Sequence, residues 1–357
     1  MRSGVVLAAI LSVSTLACSK SNPEKVDLGP AALGAATASL DRAATAANTG
    51  EFNPRLLRRF KPVREVLIDG APGSAEQVAL GRMLYFDKRL SKNGTQACNS
   101  CHPLDNWGAD GRPTSAGAEG ALGSRNSPTV YHAAGYFAQF WDGRALSVEE
   151  QAKGPLTNPV EMGLKDGAHV ESILHGISGY KPLFAKAFPG EAEPITYDNV
   201  GKAIGSFERG LVTPSRWDAY LKGDKNALNA KEVEGLRVFT NVGCMVCHTG
   251  EFVGGTMYEK VGAVEPWPNQ VDQGRFAVTK NETDRMVFKV PTLRNIGKTA
   301  PYFHDGSAKT LGQAVQMMGR HQLGLELSDE EVGSISAWLD SLTGDLPREY
   351  IKEPALP

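Results

Sequence analysis

Cys98-Asn99-Ser100-Cys101-His102 and Cys244-Met245-Val246-Cys247-His248 decide how this chain is read. Each is a Cys-x-x-Cys-His run, the attachment pattern for c-type haem. Each thiol adds to one vinyl group of the porphyrin, so the two cysteines must sit about one helical turn apart. The adjacent histidine then offers a ring nitrogen to iron. Two other chemistries use paired cysteines. A zinc ion would draw both pairs into one tetrahedral cluster and leave the two histidines without a role. Thioredoxin-like dithiols need a βαβ context, which the chain lacks. Two covalently bound c-type haems are therefore expected, one on Cys98, Cys101 and His102, the other on Cys244, Cys247 and His248.

The fifth cysteine, Cys18, stands alone near the N-terminus. Arg2 precedes a short, mostly apolar run from Val5 to Val13, and Ser14-Thr15-Leu16-Ala17 leads into Cys18. This reads as an export signal over residues 1–17, and the run is too short to span a bilayer. Ala17-Cys18-Ser19 resembles a lipoprotein cleavage site, with Thr15 where a branched apolar residue is usual. Cys18 would then carry a lipid anchor. Residues 18–52 are rich in small and polar residues and read as a tether. An exported chain matures outside the reducing cytoplasm, which suits haem attachment and a periplasmic location.

The 357 residues suffice for two domains, and 41% hydrophobic with 22% charged residues is ordinary for a soluble protein. The net charge of −2 gives no reason to expect nucleic acid or an acidic membrane surface as partner. From Phe52 the pattern is helical with long Gly/Pro-rich connections. Capping boxes are expected at Ser74/Gln77, Ser147/Glu150, Asn229/Glu232 and Ser328/Glu331, and a cap at Thr196. The Thr196 helix carries an apolar stripe of Val200, Ala203, Ile204, Phe207 and Leu211. The Asn229 helix is expected to stop near Gly243, and the last helix at Gly344. Gly81-Arg-Met-Leu-Tyr-Phe86 before the first cysteine pair is echoed by Gly235-Leu-Arg-Val-Phe239 before the second. The expected fold is mainly α: two cytochrome c-like units, over residues 53–222 and 223–357, each with one haem and joined between Thr213 and Asn229.

Between and beyond the two sites lies a set of distinctive runs: Arg125-Asn126-Ser-Pro-Thr129, Phe140-Trp141-Asp-Gly-Arg144, Glu150-Gln151-Ala-Lys-Gly-Pro155, Val160-Glu161-Met162, Gly274-Arg275-Phe276, Pro291-Thr-Leu-Arg294-Asn295 and Thr299-Ala-Pro301-Tyr-Phe-His304-Asp-Gly306. Together, from about Glu76 to Gly344, the chain resembles the bacterial di-haem cytochrome c peroxidases. The resemblance implies that the N-terminal haem meets hydrogen peroxide and the C-terminal haem passes electrons to it, from a small cytochrome c or a copper protein. It implies His102 as proximal ligand of the peroxidatic iron, Glu161 as its acid/base and Gln151 as the residue orienting peroxide or water. Heterolytic O–O cleavage moves a proton from the inner to the outer oxygen, which a carboxylate can do.

The same resemblance gives His248 a methionine partner, which raises the reduction potential. Met318 matches the motif, with Met317 as its rival. Trp141 would lie between the haems. Asn126, Thr299 and Pro301 would surround a calcium ion, two of them through backbone carbonyls. His304 is a candidate partner for a haem propionate. The family tends to form dimers.

One position departs from the family. Many members keep a movable histidine sixteen residues after the proximal one, where it caps the resting peroxidatic iron. Here that position is Ala118, and alanine cannot ligate iron. The expectation is a peroxidatic site open in the oxidised protein, unless Glu119 or His132 substitutes. Two other functions compete. A di-haem enzyme that matures a tryptophan-derived quinone in a partner protein also has an open first haem, but uses tyrosine where this chain offers Met318. A simple electron carrier would have no use for Glu161 and Gln151.

Overall fold

Side-chain caps set where the helices begin. Residues 55–67 and 73–357 are described by a computed structural model of the chain. The signal expected over 1–17, Cys18 and the tether over 18–52 lie outside the described residues. The helices in order are α1 (Ala75–Phe86), α2 (Cys98–Cys101), α3 (Val148–Thr157), α4 (Gly167–Gly176), α5 (Tyr180–Ala187), α6 (Tyr197–Glu208), α7 (Arg216–Leu221), α8 (Ala230–Asn241), α9 (Phe276–Thr279), α10 (Leu311–Met318) and α11 (Asp329–Asp340). Short strands β1 (Tyr258–Lys260) and β2 (Val287–Lys289) pair antiparallel, with Tyr258 opposite Lys289. The fold is mainly helical, as expected. Ser74 accepts from the Gln77 amide at 3.1 Å, Ser147 from Glu150 at 3.2 Å, Thr196 from Asn199 at 3.1 Å, Asn229 from Glu232 at 3.0 Å and Ser328 from Glu331 at 3.3 Å. Each such cap stabilises its helix by about 1 kcal/mol.

Of the two helix ends expected, one agrees and one does not. α8 stops at Asn241 with Gly243 just beyond it at φ 104°. α11 stops at Asp340, four residues before the Gly344 end read from the sequence. Gly344 has another task. Its N–H donates to Asn295 Oδ1 at 3.0 Å, its carbonyl accepts from Trp107 Nε1 at 3.2 Å, and a Cβ there would lie 2.0 Å from the Thr213 carbonyl. Glycine is required by close backbone approach, not by helix termination.

The echo between the two halves has a packing cause. α1 lies along α6, and α8 lies along α11. A Cβ on Gly81 would lie 1.8 Å from the Ala203 carbonyl, and one on Gly235 would lie 1.8 Å from the Ser334 carbonyl. Each glycine lets one helix backbone touch the next. Two cores result. The first gathers Leu80, Leu84, Tyr85, Ile204 and Phe207, together with Leu346 and Ile351 from the C-terminal tail. The second gathers Leu236, Phe239, Ile335, Trp338 and Leu339, together with Phe60, Trp217 and Tyr220. The division of the cores therefore does not coincide with a cut between 222 and 223. Phe60 joins the second core, and Leu346 and Ile351 of the C-terminal tail join the first.

Candidate functional site

His102 caps the C-terminus of α2, and its Nδ1 lies 3.2 Å from the Gly108 carbonyl. His248 Nδ1 lies 3.2 Å from the Val253 carbonyl. A carbonyl acceptor places the ring proton on Nδ1 and leaves the Nε2 lone pair for a metal. Burial pushes both imidazoles down, His248 to about 4, so both rings stay neutral. Val253 has φ 52° and Gly254 φ 135°, and a Cβ at Gly254 would lie 2.0 Å from the Pro291 carbonyl and 3.3 Å from His248 Nδ1. The chain can turn behind His248 only with glycine there. None of Cys98, Cys101, Cys244 and Cys247 is tied up in a disulfide, and burial pushes the Cys98 and Cys244 thiols up to about 12.

This donor set fits haem. Around His248 lies a cavity of about 470 Å³ lined by Cys244, Cys247, Met318 and apolar side chains such as Phe239, Ile335 and Leu339. Met318, not Met317, lines it, whereas Met317 packs against the Tyr302, Ala308 and Ala314 cluster. Met318 closes α10 where the chain enters a π-helical turn, Gly319–Leu323, a local irregularity common at functional sites. Trp141, His304, Asn126, Thr299 and Pro301 line the same cavity. Trp141 Nε1 donates to the Asn126 carbonyl at 2.9 Å, and the Asn126 amide donates to the His304 carbonyl at 2.8 Å. His304 stacks on Phe288 at 4.2 Å, and its buried Nε2 has no partner among the described residues.

Glu161 belongs to the other half. It lines a cleft of about 490 Å³ with Phe140, Arg144, Glu150 and Asn158. Asn158 Nδ2 donates to its Oε1 at 2.7 Å. Burial raises the Glu161 carboxyl above its ordinary value, while Arg144 and the Asn158 bond pull it back. Burial raises the Cys98 and Cys101 thiols most, and the Glu161 charge adds to the rise in both, so it lies within electrostatic reach of the first attachment site. Gln151 sits on α3 but is not part of the cleft lining. Its neighbour Glu150 lines the cleft and pairs with Lys153 at 3.0 Å.

The Ala118 loop lies against the Glu161 loop. The Ala118 amide donates to the Glu161 carbonyl at 2.7 Å, and Asn93 Nδ2 donates to the Ala118 carbonyl. A Cβ at Gly117 would lie 1.8 Å from the Val160 carbonyl. The loop also bonds to itself, Gly117 to Ala121 and Gly123 to Ser115, both at 2.9 Å. Both residues named as substitutes are engaged elsewhere. Glu119 pairs with Lys92 at 2.7 Å on the surface. His132 is fully buried, accepts from the Thr213 amide at 3.1 Å, and is pushed down to about 3 by burial. His169 lies at the start of α4 and His175 in its last turn, while His321 packs on Trp267 at 5.4 Å.

Glu208 and Lys289 are among the buried ionisable residues that the sequence reading did not single out. Glu208 is buried, pushed up to about 8 by burial, and its field reaches Cys98. Lys289 is buried in the second cavity. Both signals were present as ionisable residues inside apolar patterns: Glu208 four residues after Ile204 on the buried stripe, and Lys289 within Val287-Phe-Lys-Val290.

Residues 75–226 match the family model for di-haem cytochrome c peroxidase. The cytochrome c551 peroxidase of Nitrosomonas europaea is 47% identical over 300 residues, covering 84% of this chain and 87% of that protein. The cytochrome c551 peroxidase of Pseudomonas aeruginosa is 46% identical over 305 residues, with the same coverage. The chain belongs to the di-haem cytochrome c peroxidase family. Among solved structures, a MauG-like protein associated with microbial copper homeostasis superimposes with a TM-score of 0.72 at 30% identity, over 85% of this chain and 99% of that one. Membership in this family brings two haem cofactors, in keeping with the two histidine sites.

Proposed function

We propose that this protein reduces hydrogen peroxide to two waters, taking two protons and two electrons, the electrons delivered singly by a small cytochrome c or a cupredoxin in the periplasm. Two c-type haems, joined to Cys98 and Cys101 and to Cys244 and Cys247, supply the iron chemistry and the electron storage when bound. The observation carrying the reading is Glu161, a half-buried carboxylate on a cleft within electrostatic reach of the first attachment site. Glu161 takes the proton from the inner peroxide oxygen and returns it to the outer one. Asn158 holds its Oε1, and Arg144 offsets part of the rise that burial imposes on the carboxyl. Gln151 orients peroxide or water only if it turns into the cleft that Glu150 lines. His248 and Met318 hold the second haem, and Trp141 shortens the electron path. Asn126, Thr299 and Pro301 hold calcium near the junction. Cys18 carries the lipid anchor, and the protein pairs as a homodimer.

Ala118 removes the usual cap, so the oxidised protein reacts without prior reduction. Met318 favours this reading over the tryptophylquinone-type oxidase, which places tyrosine there. The test is peroxide turnover of Glu161→Gln beside the native holoprotein. A loss of about 10²–10⁴-fold is expected for removing a general acid–base. Unchanged turnover removes Glu161 from the mechanism.

A further inference from the structure

Lys289 is a buried cation with no ion-pair partner among the described residues. It is 8% exposed and lines the cavity that also holds His248 and Met318. The guanidiniums of this region, buried Arg294 and half-buried Arg125, are paired. Arg294 meets both Asp218 oxygens at 2.8 Å, and Arg125 meets Asp142 at 2.6 Å and Asp272 at 2.5 Å. No carboxylate among the described residues acts on Lys289, and burial alone pushes its ammonium down to about 8. Its side-chain contact is the ring of Tyr136, with Nζ 4.7 Å from the centroid. Such a contact replaces only part of the hydration an ammonium loses on burial.

The lysine is also fixed in a telling place. Its amide donates to the Trp141 carbonyl at 2.8 Å, so β2 carries it against the tryptophan that lines the same cavity. A negative group from outside the chain is the natural match for a cation buried at this point. The haem that the cavity fits carries two carboxylates of its own, its propionates.

We propose that Lys289 is the counter-ion of a propionate of the second haem, beside Trp141, and that its charge raises that haem's reduction potential. The inference rests on the second haem occupying this cavity. A fixed positive charge opposes oxidation, because oxidation adds a further positive charge at iron.

The experiment is a spectroelectrochemical titration of the native holoprotein and of Lys289→Met and Lys289→Arg. In Lys289→Met the second haem becomes about tenfold harder to reduce, ~59 mV for one electron, with the first haem unmoved. Lys289→Arg restores most of that shift, which a packing role would not do. An unchanged potential in Lys289→Met overturns the proposal. If Lys289→Met fails to take up the second haem, Lys289→Arg decides: restored uptake supports a charge role, and loss in both variants overturns it. A native spectrum without a methionine-ligated haem would sink the underlying reading before any variant is measured.

Discussion

The ring of His102 is tied to a carbonyl six residues on, and the ring of His248 to one five residues on, both at 3.2 Å. Both histidines follow a helix whose glycine, Gly81 or Gly235, touches a neighbouring backbone. Up to this point the two halves share one plan. Beyond it they part. The first half sets a carboxylate, Glu161, on a cleft and lays the Ala118 loop over its backbone. The second half encloses an apolar cavity and supplies a thioether, Met318. The two surroundings thus differ in kind: a cleft that a carboxylate lines in the first half, an apolar cavity that a thioether lines in the second.

Putting the family's missing histidine back should break this contrast most sharply. Ala118→His is expected to cap the first site, and a cap in place 99% of the time slows the oxidised protein's reaction with peroxide about hundredfold. Half-reduction should restore the rate, read by stopped-flow mixing. Next in size is the ion pair that braces the second half. Arg294 is fully buried and bonds Asp218 through two nitrogens, while Asp218 also accepts from the Val63 amide at 2.7 Å. Asp218→Asn leaves a buried guanidinium short of its charge and should cost about 3–5 kcal/mol, read by denaturant unfolding.

The glycine echo allows a matched pair of tests. Gly81→Ala and Gly235→Ala each drive a methyl toward a carbonyl and should each cost about 1–3 kcal/mol. Gly81→Ala should loosen the first core and Gly235→Ala the second, seen as hydrogen exchange rising in α1 and α6 or in α8 and α11. The smallest effect is a pH shift. Burial raises Glu161, so the acid limb of peroxide turnover should lie above the ordinary carboxylate range. The base form is needed, so activity rises as pH climbs through that value. Asn158→Ala removes a bond that favours the ionised form and should move the limb further up, read from the pH dependence of kcat.

Much of this contrast was legible in the chain. The five helix starts follow from hydroxyl, amide and carboxylate caps, which are local chemistry. The haem sites follow from spacing. Gly344 was misread because a glycine after an apolar run looks like a helix stop, while its real constraint is the Thr213 backbone, distant in sequence. Met318 and Met317 are adjacent, so periodicity could not separate them, and only the enclosed cavity does. Gln151 and Glu150 show the same limit on α3. The burial of Lys289 and Glu208 depends on contacts across the fold, although each stood out as a charge in an apolar run. His132, named as one substitute ligand, accepts from the Thr213 amide, a partner distant in sequence.

Electron paramagnetic resonance of the fully oxidised holoprotein tests the central claim most directly. An uncapped first site beside Glu161 and a methionine-closed second site predict one high-spin and one low-spin haem. Two low-spin signals and no high-spin haem would contradict it.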